Sequence, residues 1–322
     1  MTALAQDLAA SPEPFPHDVN VENGTVSLVR LTEPDYRAAS FLDARILGLR
    51  MPVRTVAWQE VADAAAGLPQ TCDFIFHIGH VGSTLLSRLM GAHPGVFALR
   101  EPLALRTLAQ RKIDGRGDVD AYLPTLLALW SRTFRPRQRA VVKATSFASE
   151  LAADILARPW APRAIFMAVS AETYLATILG GPNSRQEARM LGASRFARLQ
   201  RRLGRSLPPP ATEGELIAMS WACEMSALRA AGAGDHALWL DFDRFLDAPE
   251  TWLAKCLRHI GVTPDDAEIA AILTGPDMRT YSKAQQHGYD AQLRRDVLNQ
   301  ARALSGAEIR RGLNWLEKNG PG

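Results

Sequence analysis

The stretch Asp73-Phe-Ile-Phe-His-Ile-Gly79-His-Val-Gly82-Ser-Thr84-Leu-Leu-Ser-Arg-Leu-Met90 decides the fold. Residues 73–78 carry the apolar run of a buried strand, residues 79–82 a glycine-punctuated turn, and the residues after them an amphipathic helix. Such a turn presents unpaired backbone N–H groups at the positive end of a helix dipole, which is a cradle for an anion. Gly79 and Gly82 supply the positive φ or the tolerance of crowding that the turn needs. The hydroxyls of Ser83 and Thr84 stand at the helix start. An ordinary strand–turn–helix has the same outline, so the rest of the chain must discriminate.

A chain of 322 residues, 47% apolar and 22% charged, has the balance of a globular protein with a sizeable core. A net charge of +3 is too small to argue for nucleic acid. Cys72, Cys223 and Cys256 are scattered and lack CxxC spacing, which fits a reducing compartment and offers no metal framework. The N-terminus lacks the basic-then-apolar order of a secretory signal, and no uncharged apolar run is long enough to span a membrane. The expected location is cytoplasmic.

Residues 1–25 read as an irregular arm, 25–31 as a short strand, 37–49 as a helix, 55–58 as a strand and 60–66 as a helix. Together they suggest that residues 1–70 form an arm and cap packed on a domain of residues 71–322. From residue 73 strands alternate with helices. The strands are 73–78, 96–99, 139–144, 163–169 and 236–242; the last helix, 290–318, breaks at Ser305-Gly306. Short, continuously apolar strands separated by helices predict an α/β fold: a P-loop-type parallel sheet with helices on both faces, plus the small N-terminal cap. The ligand of such a sheet belongs at the carboxyl ends of the strands.

A nucleoside-triphosphate P-loop needs a Lys after its second glycine and a metal-holding acid later. Gly79-His-Val-Gly-Ser-Thr84 has no such Lys, and only Asp241 and Asp243 offer acids, which disfavours a P-loop kinase.

Beyond this point the sequence resembles the sulfotransferases that use 3′-phosphoadenosine 5′-phosphosulfate (PAPS), in their bacterial and tyrosylprotein-like branch. Gly79-His80-Val81-Gly82-Ser83-Thr84-Leu85-Leu86 lies on their 5′-phosphate loop. His93-Pro94 with Arg100-Glu101-Pro102, Val141-Val142-Lys143-Ala144-Thr145-Ser146, residues 164–177 and residues 238–261 match later family segments in order. The resemblance covers roughly residues 73–262. It implies transfer of a sulfuryl group from PAPS to a hydroxyl or amine of a small-molecule or peptide acceptor, without a metal. The loop, Gly79 to Thr84, would hold the 5′-phosphate; His80 and Lys143 would neutralise developing charge; Glu101 would be the base. The departures are specific. His80 replaces the loop cation, Val169 the Arg of the 3′-phosphate motif, Thr177 its Ser, and Thr145 the His that serves as base in the cytosolic branch.

Each candidate also has an ordinary reading. His80 can shape the turn, and an unperturbed imidazole, at about 6.5, is a pH-dependent cation where Lys is permanent. Glu101 before Pro102 can complement a helix dipole. Lys143 can snorkel from a strand end, and Thr177 can bond its own helix. Arg185 stands in a first helical turn, where a cation is unfavourable without an anion, so it is the nominee to replace the missing 3′-phosphate Arg. Arg195, Arg198, Arg201, Arg202 and Arg205 read as a solvated helix face. Arg310-Arg311-Gly312 resembles a family C-terminal phosphate element inside a helical pattern, and residues 281–289 form a polar loop placed to close over the site. A repurposed chain that binds an adenylate or another anion without sulfuryl transfer is the main rival.

Overall fold

The computed structural model describes residues 2–48, 51–232, 234, 236–278 and 291–321; the polar loop at 281–289 lies outside the described residues. The first elements are α1 (Ala3–Ala10), β1 (Pro14–Asn20), β2 (Thr25–Arg30), α2 (Glu33–Ala38), β3 (Val53–Ala57) and α3 (Trp58–Ala65). β1, β2 and β3 form an antiparallel sheet in that order. The arm is therefore regular where an irregular segment was expected. Pro14 and Pro16 are tolerated because β1 is an edge strand, which need not donate every backbone bond. The helix expected at 37–49 instead lies at 33–38. Thr32 and Asp35 form a reciprocal capping box there, and Ala39 is already extended.

The core begins with β4 (Asp73–His77) and α4 (Ser83–Ala92), followed by β5 (Val96–Arg100) and α5 (Leu103–Ile113). The sequence pattern had assigned no helix to α5. α6 (Leu123–Trp130), β6 (Arg139–Lys143), a 3₁₀ segment (Ser146–Leu151), α7 (Ala152–Leu156), β7 (Ala164–Ala168) and α8 (Ala171–Leu179) follow. Next come α9 (Pro182–Leu203), α10 (Glu213–Ala231), β8 (Ala237–Asp241), α11 (Phe242–Asp247), α12 (Pro249–His259), α13 (Asp266–Thr274) and α14 (Ala291–Asn319), with non-helical backbone at Ser305.

The second sheet is all parallel in the order β5-β6-β4-β7-β8. β4 sits at its centre. The next two strands lie on one side of β4 and the last two on the other, so connections diverge at its carboxyl end and leave a crevice. An apolar cluster of buried residues runs from Leu4 to Ile309 through both sheets. Two guanidiniums tie the cap to it. Arg132 donates to the carbonyls of Leu8, Ser11 and Pro14 at 3.1, 2.8 and 2.7 Å. Arg100 donates to those of Tyr36 and Ala39 at 2.8 and 2.5 Å, and burial pulls its pKa down to about 10.

The arginine face of α9 corrects the solvated reading. Arg195 and Arg198 are each 3% exposed and converge on Glu224 of α10, which is 0% exposed. Arg195 Nε and Arg198 Nη1 donate to Glu224 Oε1 at 3.1 Å each, and Arg198 Nε donates to Glu150 at 2.8 Å. Arg202 also pairs with Glu150. An (i, i+3, i+7) row of arginines looks solvated in sequence, but its partner acids lie on another helix and in the 3₁₀ segment.

Candidate active site

The segments singled out from the resemblance contain the parallel strands β4 to β8, so the residues that follow those strands gather at one carboxyl edge of the sheet. β4 delivers the turn Ile78–Gly82, in which Gly79, His80 and Gly82 all take left-handed backbone (φ +87, +55 and +68). Gly79 N–H donates to His77 Nδ1 at 3.0 Å, while His77 Nε2 lies 2.9 Å from the Ala144 carbonyl. The loop is thereby tied to the end of β6. α4 then starts with no side-chain cap on its first turn, and Ser83 and Thr84 line that start. An uncapped N-terminus beneath successive positive-φ residues concentrates donor groups on one point.

Phe242, the first residue of α11, seals the loop from behind. A Cβ on Gly82 would lie 2.1 Å from two atoms of its ring, so only glycine fits. Over the same ring, 4.9 Å from its centroid, stands the guanidinium of Arg294 from α14. Arg294 Nε donates to Asp243 at 2.9 Å, its Nη2 stands 2.9 Å from the same carboxylate, and its side chain is 10% exposed against 41% for Asp243. Sequence reasoning missed both residues. The only signal was that Phe242 directly follows the last strand.

On the other side of β4, backbone pairing sets Arg100 and Lys143 side by side across β5 and β6. Glu101 N–H donates to the Lys143 carbonyl at 2.7 Å. Glu101 then adopts φ +53, a strained turn for a residue with a side chain. Its carboxylate accepts from Lys143 Nζ and, at 3.3 Å, from Thr145 Oγ1. Lys143 is 1% exposed and Glu101 8%. The two thus form a buried ion pair at the sheet edge, rather than a snorkelling lysine and a solvent-facing helix acid. Phe41 faces the pair, its ring centroid 5.9 Å from Nζ, and Arg45 stacks on that ring at 3.5 Å. Arg45 is bonded to Asp43 at 2.8 and 2.6 Å. Burial pushes the Asp43 carboxyl up, but the bonds from Arg45 outweigh it and hold the pKa below the ordinary value.

The remaining nominees have local partners. His80 Nε2 lies 3.3 Å from Glu187 and Nδ1 3.4 Å from Ser184 Oγ, so α9 holds the ring. Thr177 Oγ1 donates to the Thr173 carbonyl at 2.8 Å within α8. Arg185 and Arg189 both pair with Glu213 at the start of α10. Arg311 bonds Glu308, and Gly312 serves a close helix crossing, since a Cβ there would lie 2.5 Å from the Gly214 carbonyl. Val169 is buried. Asp241 caps α11 by accepting from the amides of Asp243 and Arg244 at 2.9 and 3.2 Å. Among the described residues no group of three His, Cys, Asp or Glu side chains is placed to hold a metal, and no helix is long and apolar enough to cross a membrane.

Neither a family model nor a curated protein matches the sequence. Solved structures do match. The sulfotransferase domain from the curacin biosynthetic pathway is 15% identical, with 79% of this chain and 100% of that one covered and a TM-score of 0.41. The sulfotransferase domain of the Synechococcus PCC 7002 olefin synthase is 13% identical, with 78% and 94% covered and a TM-score of 0.43. Retinol dehydratase, in complex with androsterone and the inactive cofactor PAP, is 12% identical over 99% and 94%, with a TM-score of 0.40. The chain is thus similar in structure to sulfotransferase domains at low identity.

Proposed function

We propose that this chain is a sulfotransferase that moves a sulfuryl group from PAPS to an acceptor hydroxyl or amine. One observation carries the reading: an uncapped, positive-φ anion loop and a buried Lys143–Glu101 pair stand on adjacent strands at the same sheet edge. The donor supplies an activated sulfur–oxygen bond. The amides of residues 79–84 hold its 5′-phosphate, and the dipole of α4 favours the charge that grows on the departing oxygen. Lys143 neutralises charge at the transferring group. Glu101 accepts the acceptor's proton as the new oxygen–sulfur or nitrogen–sulfur bond forms, and Lys143 and Thr145 hold its carboxylate in place. The 3′-phosphate falls to Arg294, whose guanidinium stands over the Phe242 ring that backs Gly82 and whose partner Asp243 is 41% exposed, because Val169 carries no charge, Arg185 is paired with the less exposed Glu213, and Thr177 bonds its own helix.

Calorimetry with adenosine 3′,5′-bisphosphate, adenosine 5′-monophosphate and ATP tests the reading. The bisphosphate should bind at least about tenfold tighter than the monophosphate, a difference of about 1.4 kcal/mol. Equal binding of those two would replace PAPS chemistry with simple adenylate binding, and preference for ATP would favour a kinase.

A further inference from the structure

A second concave region lies at the opposite end of the parallel sheet. A cavity of about 410 Å³ opens among Arg139, Trp160, Arg163, His236 and the turn at Ile260–Gly261. Arg139 is the first residue of β6, and Arg163 and His236 immediately precede β7 and β8. All of these stand at amino ends. The loop and the Lys143–Glu101 pair stand at the carboxyl ends, a strand length of roughly 13 Å away for five residues. The cavity's size falls in the usual range for small-ligand sites, roughly 300–1,000 Å³.

Its chemistry is cationic. Asp73 is 0% exposed and accepts from Arg139 Nε and Nη2 at 3.1 and 2.6 Å, and from the Arg163 amide at 2.9 Å. One carboxylate therefore stands against two guanidiniums. Arg163 Nη1 is spent on the His259 carbonyl at 2.8 Å, and its guanidinium makes no further hydrogen bond among the described residues. His259 Nε2 lies 3.0 Å from the Ala164 carbonyl and 3.2 Å from that of His236, so its ring is engaged with the strand starts. The Trp160 indole N–H is buried and has no acceptor among the described residues. Ala161, also on the wall, holds left-handed backbone at φ +51. Such strain at a residue with a side chain gathers at binding sites.

We infer that this cavity binds a small oxyanion of the phosphate type, separately from the loop. Arg163 is its donor, Arg139 adds positive charge, and the indole ring of Trp160 is a wall for a planar substituent. The oxyanion can arrive as a free ion or as a monoester on an aromatic group, and the two are separable by experiment.

The full chain is titrated with inorganic phosphate and, separately, with phenyl phosphate. The readout is the Trp160 indole N–H resonance, assigned by its absence in Trp160→Phe. A saturable shift with at least one of them supports the site. Tighter binding of phenyl phosphate identifies the monoester as the fitting form; equal or tighter binding of inorganic phosphate identifies the free ion. Arg163→Gln, which leaves the Arg139–Asp73 pair intact, should weaken binding at least about tenfold. Thr84→Val, in the loop, should leave it unchanged. The inference is overturned if neither probe shifts the resonance at about 20 mM, where even millimolar affinity would be near saturation. It is equally overturned if Arg163→Gln binds as the parent does, or if Thr84→Val abolishes the shift.

Discussion

Replacing Gly82 by alanine should damage the protein through two separable terms. Gly82 has φ +68, and a left-handed backbone costs a residue with a Cβ about 1–2 kcal/mol. The added Cβ would also lie 2.1 Å from Cε2 and Cζ of Phe242. That ring is 2% exposed and stacks near Phe245 at 6.2 Å between centroids, so it has little room to withdraw. Overpacking of this kind adds about 1–3 kcal/mol. The expected loss is therefore about 2–5 kcal/mol, read as a lower midpoint in urea unfolding. Gly24→Ala isolates the backbone term, because Gly24 has φ +59 but nothing within 4 Å of the added carbon. Gly82→Ala combined with Phe242→Leu isolates the steric term. The double variant should be more stable than the sum of the single losses by about 1–3 kcal/mol, since the two sites touch. If Gly82→Ala costs no more than Gly24→Ala, or the cycle shows no coupling, then Phe242 does not press on the loop. The account of the loop as a sealed cradle would fail with it.

Lys143→Met should cost about 3–5 kcal/mol because it leaves the Glu101 carboxylate buried without its ammonium partner, and Lys143→Met with Glu101→Gln should recover most of that in thermal or urea unfolding. Recovery of none would mean the pair is not electrostatically coupled. His80→Lys keeps a positive charge across the neutral range, so the proposed sulfuryl transfer should persist to higher pH; an unchanged pH–rate profile would remove the charge of His80 from the proposal. Acid should destabilise the fold through Glu224. Burial alone would raise its pKa, but Arg198 and Arg195 hold it below the ordinary value. A depressed carboxylate contributes stability above its unfolded pKa, near 4.5, that is lost as pH falls through the folded value. Glu224→Gln should flatten the stability–pH curve below that point, and a curve as steep as the parent's would assign acid lability elsewhere.

The sheet and its strand limits were legible because burial on both faces writes itself as short apolar runs, and β4 to β8 each end within two residues of the expectation. The arm was not legible, because β1 is stabilised by its neighbours and by Arg132 rather than by its own proline-rich sequence. α5 was not legible because it starts at Pro102 with no side-chain cap and no acidic residue in its first turn to mark it. The site was legible in part. Lys143 and Glu101 lie far apart in sequence, yet the strand pairing of β5 with β6 makes them neighbours, and each could be nominated from its own strand end.

Arg294 could not be nominated, and the reason is physical. A phosphate-binding cation is marked by where its charge is left uncompensated, which depends on partners from other elements. Arg185 looked unbalanced in its own helix, yet Glu213 of α10 balances it. Arg195 and Arg198 looked solvated, yet Glu224 buries them. Arg294 looked like one of many arginines in a polar helix. Folding sets its guanidinium over Phe242, and through that ring against Gly82, with the half-exposed Asp243 as its partner. A one-dimensional pattern reports the charges a helix carries, whereas the partners that bury or expose those charges come from other elements.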